Sequence, residues 1–153
     1  MIKRKADELI RNFILNDKRS LLVTGARQVG KTFLIRKVGK ECFDNVVEIN
    51  FVEQPDAIEL FSKQKGAKDF LLRLSAFAKK PLVPGKTLIF FDEVQECKEI
   101  ITAIKFLVDE GSYKYVMSGS LLGVELDDLR SVPVGYMDEI EMYPLDLMEF
   151  FEA

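Results

Sequence analysis

Two glycines at a fixed spacing, followed at once by a lysine and a threonine, constrain this chain more than any other feature. Gly25 and Gly30 enclose four residues, and Lys31 and Thr32 follow, so the segment reads G-x-x-x-x-G-K-T. An apolar run before it predicts a buried strand over 21–24, and the run after it predicts a helix over 33–40. The glycines let successive backbone N–H groups turn inward at the positive end of that helix. The segment therefore predicts a P-loop that holds phosphate.

Lys31 and Thr32 have separate predicted tasks in this loop. The lysine reaches the terminal phosphates of a nucleoside triphosphate, and the threonine hydroxyl binds the Mg²⁺ that those phosphates carry. The alternative is a glycine-rich turn that binds nothing, but a strand before the motif and a helix after it favour the P-loop. The predicted nucleotide-binding residues are Gly25, Ala26, Arg27, Gln28, Val29, Gly30, Lys31, Thr32 and Phe33. Arg27 either touches phosphate or a nearby carboxylate, or is an exposed loop arginine.

A second motif, two carboxylates after an apolar run, completes the predicted site. Residues 88–91 carry a strand through the core, and Asp92 and Glu93 follow it, as in a Walker B motif. Asp92 is predicted to hold Mg²⁺ through water as the acidic partner of Thr32, and Glu93 to polarise the water that attacks the γ-phosphate. The alternative is that the two acids end a strand in solvent. The P-loop upstream favours the catalytic interpretation.

Ser118, Gly119 and Ser120 end the predicted fourth strand. Ser118 is the preferred candidate for a polar sensor between the γ-phosphate and the attacking water. The alternative is a serine-rich turn selected for its local hydrogen bonds. Arg130, further along, is a candidate arginine finger that neutralises charge in the transition state.

Composition restricts the remaining function classes. The 153 residues fit one domain, and a net charge of −3 gives no basic field for nucleic acid. The sequence has no histidine, which excludes histidine-based acid–base chemistry and histidine-ligated zinc. Cys42 and Cys97 have no metal or redox spacing and predict reduced core residues of a cytoplasmic protein. No apolar run has the length that a bilayer requires, so no membrane partner is expected.

Strands and helices alternate along the chain. Strands are predicted over 21–24, 46–51, 87–91, 115–117 and 138–143. Helices are predicted over 6–15, 33–40 and 98–108, with a helical region after Pro55 that Gly66 divides and short helices over 124–129 and after Pro144 to Phe150. This alternation predicts an α/β fold, a three-layer P-loop NTPase core whose five-stranded parallel sheet has helices on both faces.

Four segments together resemble one family. They are Gly25-Ala26-Arg27-Gln28-Val29-Gly30-Lys31-Thr32, Phe91-Asp92-Glu93-Val94-Gln95, Ser118-Gly119-Ser120 and Pro144-Leu145-Asp146-Leu147-Met148-Glu149-Phe150. The chain is similar to the prokaryotic AAA-type ATPases that carry a DUF4143 domain after the ATPase core. The resemblance implies an ASCE-type core with strand order 5-1-4-3-2, ATP with Mg²⁺ as ligands, and Glu93 as catalytic base.

Two features depart from those relatives. They place a Gly-Arg pair before the fifth strand, where this chain has Gly135-Tyr136, so the arginine that acts in trans is unassigned. They also continue for a longer segment, which implies that residues 1–153 form a P-loop ATPase domain that is either the N-terminal fragment of a longer chain or a truncated gene product. A role with nucleic acid is implied only through that missing C-terminal region.

These features predict magnesium-dependent binding and hydrolysis of ATP, coupled to the missing domain. A homo-oligomer is expected if a neighbouring protomer supplies the arginine. The alternative is an ATP-dependent binding switch with negligible turnover, in which Glu93 only holds a conformation. A small-molecule kinase fits less well, because a kinase has less need of a carboxylate that activates water.

Overall fold

The computed structural model describes residues 5–25, 30–120 and 133–142. Within these ranges the strands are β1 (Ser20–Gly25), β2 (Asn45–Asn50), β3 (Thr87–Asp92), β4 (Lys114–Ser120) and β5 (Met137–Glu141). The helices are α1 (Lys5–Asn16), α2 (Lys31–Cys42), α3 (Glu59–Ser62), α4 (Ala67–Ala78) and α5 (Ile100–Glu110), with 3₁₀ turns at Pro55–Ile58 and Val94–Glu96. None of the described helices has the length and apolarity that crossing a membrane requires.

The five strands form one sheet in the order β2-β3-β4-β1-β5, and every pairing is parallel. Read from the other edge this is 5-1-4-3-2, so the predicted fold class and strand order are confirmed. The strand that leads into the P-loop, β1, lies between β4 and β5. All carboxyl ends of a parallel sheet meet at one edge, where open α/β sheets bind their ligands.

Helices cover both faces of the sheet, as alternation along β3 makes clear. Leu88 and Phe90 pack with α1 and α2, whereas Ile89 and Phe91 pack with α4 and α5. Successive side chains of a strand point to opposite faces, so an apolar strand without polar alternation requires two covered faces. The three-layer prediction is therefore confirmed.

Aromatic rings fix the end of β3 where the predicted catalytic acids lie. The fully buried ring of Phe91 has its centroid 5.4 Å from that of Phe61 and 5.9 Å from that of Phe51. Tyr115 on β4 stacks on the same ring at 6.4 Å. Close-packed rings leave little room for movement. Three rings therefore pack against Phe91, the residue before Asp92, and restrict the position of this strand end.

An ionic network joins α1 to α2, the helix that follows the P-loop. Asp7 is 2% exposed and accepts hydrogen bonds from Lys37 Nζ at 2.6 Å and Arg11 Nη2 at 2.9 Å. Arg11 also contacts Glu41 at 2.6 Å. Burial alone would raise the pKa of Asp7, but the hydrogen bonds from Lys37 and Arg11 outweigh it and leave that pKa below its ordinary value. The network anchors the first helix to the P-loop helix.

Within the described residues the predicted elements are recovered with shifted bounds. Ser118, Gly119 and Ser120 end β4 as predicted, and the alternative of a serine-rich turn is wrong, because β4 stays paired with β1 up to the Gly25–Ser120 pair. The region after Pro55 opens as a 3₁₀ turn, and α2 begins at Lys31 rather than at residue 33. The short helices predicted over 124–129 and after Pro144 lie outside the described residues.

Candidate active site

The P-loop glycines adopt the backbone conformations for which glycine was expected. Gly25 has φ of 148° and Gly30, the N-cap of α2, has φ of 88°. Side chains larger than hydrogen are disfavoured at such positive φ values. Lys31 Nζ donates a hydrogen bond to the Gly25 carbonyl at 2.8 Å, which joins the two ends of the loop. Residues 26–29, between them, lie outside the described ranges.

Asp92 is the meeting point of the site. Its carboxylate, 3% exposed, accepts a hydrogen bond from Thr32 Oγ1 at 3.0 Å on Oδ2. The other oxygen, Oδ1, accepts from Ser118 Oγ and from the backbone N–H of Glu93, the latter at 2.9 Å. One carboxylate thus connects the P-loop helix, β3 and β4. The predicted metal-binding pair, Thr32 and Asp92, is in direct contact.

The oxygens of this pair are of the kind that Mg²⁺ prefers, and their spacing is compatible with two ligands of one ion. Mg²⁺ takes oxygen ligands in near-ideal octahedral geometry, and two adjacent ligands at about 2.1 Å from the ion are about 3 Å apart. Thr32 Oγ1 and Asp92 Oδ2 are 3.0 Å apart. A protein site for Mg²⁺ commonly supplies one or two such oxygens, and water and phosphate supply the rest. The donor set therefore fits Mg²⁺ bound with a nucleotide.

Glu93 follows Asp92 in an unusual backbone conformation. Its φ of 58° and ψ of 47° lie in the left-handed region, and the 3₁₀ turn Val94–Glu96 begins directly after it. Gln95 Nε2 then donates a hydrogen bond to Glu93 Oε2 at 2.5 Å. No pattern in the sequence assigns Gln95 a role. The only available signal was its place at the end of the Phe91-Asp92-Glu93-Val94-Gln95 segment.

The two serines of β4 lie on one face of the strand but at different levels. Ser118 bonds to Asp92, so its hydroxyl supports that carboxylate. Ser120, two residues on, is level with Gly25 and therefore closer to the P-loop along the strand. It is buried at the carboxyl edge of the sheet. Ser120 is therefore a second candidate for the polar sensor, in addition to Ser118, which the sequence favoured.

Other predicted site residues lie at the margins. Phe33 begins the exposed face of α2, with 58% of its surface accessible. Thr24, just before the P-loop, donates a hydrogen bond to Glu139 Oε2 on β5 at 2.8 Å, a contact that the sequence analysis did not predict. Arg27 and Arg130, the two candidate cations, lie outside the described residues.

A parallel sheet of this order, in which Gly25 ends β1 and Gly30 is the N-cap of α2, defines the P-loop NTPase fold. The AAA domain family matches residues 17–151, and the chain belongs to that family. No curated protein sequence matches this chain.

Two solved structures resemble the fold. RuvB T158V of Thermotoga maritima has 18% sequence identity and a TM-score of 0.53 over 93% of this chain and 46% of its own. The Pif1 helicase of Candida albicans has 13% identity and a TM-score of 0.56 over 94% of this chain and 40% of its own. This chain spans less than half the length of either structure. At such identities the likeness is one of fold alone.

Proposed function

We propose that this chain is a magnesium-dependent ATPase module. The observation that carries the proposal is the contact between Thr32 and Asp92, 3.0 Å apart, which joins the two motifs at the carboxyl edge of the sheet. In P-loop NTPases the loop threonine and the strand acid hold the same metal ion. The AAA family match and the positive φ values of Gly25 and Gly30 support the same proposal.

Binding rests on the backbone and on two side chains. The N–H groups at the start of α2, on the positive end of the helix, bind the phosphates of ATP. Lys31, which donates to the Gly25 carbonyl, turns its ammonium to the terminal phosphates. Thr32 and Asp92 hold Mg²⁺, which neutralises charge that develops on the phosphate oxygens. Ser118 keeps Asp92 oriented through its hydrogen bond.

Glu93 is the proposed general base. Its carboxylate follows the metal-binding aspartate directly, and it polarises the water that attacks the γ-phosphorus. A carboxylate placed to activate water is needed more in hydrolysis than in transfer to an organic hydroxyl that a kinase binds. ATP is preferred to GTP because the sequence has no NKxD-type segment that reads guanine. Hydrolysis therefore fits the arrangement better than a small-molecule kinase does.

The proposal also covers the cellular compartment, a neighbouring protomer and a C-terminal domain. The ATPase acts in the cytoplasm, where reduced Cys42 and Cys97 belong. A neighbouring protomer supplies the arginine that neutralises the transition state, and hydrolysis drives a C-terminal domain of the DUF4143 type. Any contact with nucleic acid is made through that domain.

Phosphate release from ATP in the presence of Mg²⁺ tests the central proposal. We expect Lys31→Ala to abolish ATP binding, and Glu93→Gln to bind ATP but to lower kcat by about a hundredfold or more. Glu96→Gln, an exposed acid in the adjacent turn, is the matched control and should match the wild type. Assays at several protein concentrations detect activity that requires a partner protomer. A rate at background at every concentration would contradict hydrolysis and favour a binding switch.

A further inference from the structure

The side-chain amide of Gln95 donates a hydrogen bond to the carboxylate of Glu93. Gln95 is only 9% exposed, and its Nε2 lies 2.5 Å from Glu93 Oε2. The amide orientation is fixed by this contact, because the reverse orientation would place two oxygen acceptors against each other. A side-chain amide that donates to a carboxylate restricts where that carboxylate can lie.

The backbone around Glu93 is built to make this contact. Residues two apart do not face each other in a helix or lie on opposite strands, so the pair needs a local turn. Glu93 in the left-handed region and the 3₁₀ turn Val94–Glu96 return residue 95 toward residue 93. Such a conformation is costly for a residue other than glycine and persists only where its surroundings hold it. Val94 and Cys97, both buried, anchor the turn in the core.

The other half of the same amide is unsatisfied. Gln95 Oε1 is buried and has no hydrogen-bond partner among the described residues. A buried acceptor without a donor is unfavourable, and a methionine or leucine at this position would avoid it. A glutamine that only filled space would therefore be a poor choice. The contact with Glu93 is what the amide contributes.

We infer that Gln95 is a positioning residue that holds the Glu93 carboxylate ready for catalysis. This inference rests on the proposed ATPase function, in which Glu93 is the base. Asp92 and Glu93 then have separate supports. Ser118 and Thr32 hold Asp92, whereas Gln95 holds Glu93. Loss of Gln95 leaves phosphate and metal binding intact and misplaces only the base.

Two nearly isosteric substitutions test the inference. Gln95→Met removes the donor, and Gln95→Glu replaces it with a second carboxylate. We expect both to lower kcat for ATP hydrolysis by about tenfold or more, with KM unchanged. Glu96→Ala, in the same turn but exposed, should keep the wild-type kcat. Thermal unfolding of each variant establishes that it is folded.

A double-mutant cycle separates positioning from a structural role. If Gln95 acts through Glu93, adding Gln95→Met to Glu93→Gln lowers kcat no further. A wild-type kcat in both Gln95 variants, or the same fold loss with and without Glu93, overturns the inference and leaves the ATPase proposal intact.

Absence of turnover in the wild type contradicts the ATPase proposal instead. The contact is then tested by NMR of the nucleotide-free protein, in which Glu93→Ala should shift the side-chain amide protons of Gln95. Amide protons that do not move overturn the inference independently of any activity.

Discussion

Replacing Asp7 with asparagine should destabilise the protein by about 2 kcal/mol at neutral pH. The carboxylate is buried and accepts from both Lys37 and Arg11, and hydrogen bonds to charged groups contribute about 1.5–3 kcal/mol each. The sum is not lost in full, because both cations stay partly solvated and Arg11 keeps its contact with Glu41. The estimate corresponds to about a thirtyfold change in the unfolding equilibrium and about 5 °C in Tm.

The effect of Asp7→Asn should depend on pH with a defined sign. The folded state lowers the pKa of Asp7 from an ordinary 3.8, so the ionised carboxylate stabilises the fold above that pH. The contribution is lost as the pH falls through the lower pKa of the folded state. Urea unfolding of both proteins from neutral pH to about pH 3 should therefore show a difference that shrinks on acidification.

The matched control for this test is Glu8→Gln. Glu8 is the next residue of α1 and is exposed, so its substitution should change the free energy of unfolding by less than about 0.5 kcal/mol. Equal stabilities of wild type and Asp7→Asn at neutral pH would show that the Asp7 carboxylate does not stabilise the fold. So would a difference between them that is the same at every pH.

Three further predictions concern the core and the site. Burial raises the pKa of the Cys97 thiol to about 12, so iodoacetamide should modify Cys42 and spare Cys97, as mass spectrometry of the peptides can establish. A Cβ at Gly39 would lie 3.0 Å from a leucine methyl of β3, so Gly39→Val should lower the free energy of urea unfolding by about 2 kcal/mol. Ser118→Ala removes a donor to Asp92 and should weaken binding of Mg²⁺–ATP in calorimetry; equal affinity would contradict that role.

The layers of the fold could be predicted because the residue pattern of a central strand indicates whether one or both of its faces are buried. Residues 88–91 are apolar without alternation, which requires helices on both faces, and Gly25 and Gly30 mark the turn that connects strand to helix. Periodicity does not carry strand order, however. The order 5-1-4-3-2 came from the family resemblance and not from the strands themselves.

What the sequence could not predict depends on contacts and backbone conformations that local patterns do not encode. The composition of Ser118, Gly119 and Ser120 fits both a strand end and a turn, and the pairing of β4 with β1 excludes the turn. The sequence indicates a solvated charge at Asp7 of α1, and only the fold brings Lys37 of α2 into contact with it. The Gln95–Glu93 contact requires Glu93 to have a left-handed backbone conformation, and the presence of a glutamate at this position does not predict that conformation.

Calorimetric titration of ATP with and without Mg²⁺ tests most directly that Thr32 and Asp92 form the metal site. We expect Mg²⁺ to strengthen ATP binding to the wild type and this gain to be lost in Thr32→Ala and Asp92→Asn. Binding of ATP without the metal should persist in Thr32→Ala, because the loop N–H groups and Lys31 remain. An equal gain from Mg²⁺ in the wild type and in both variants would contradict the account.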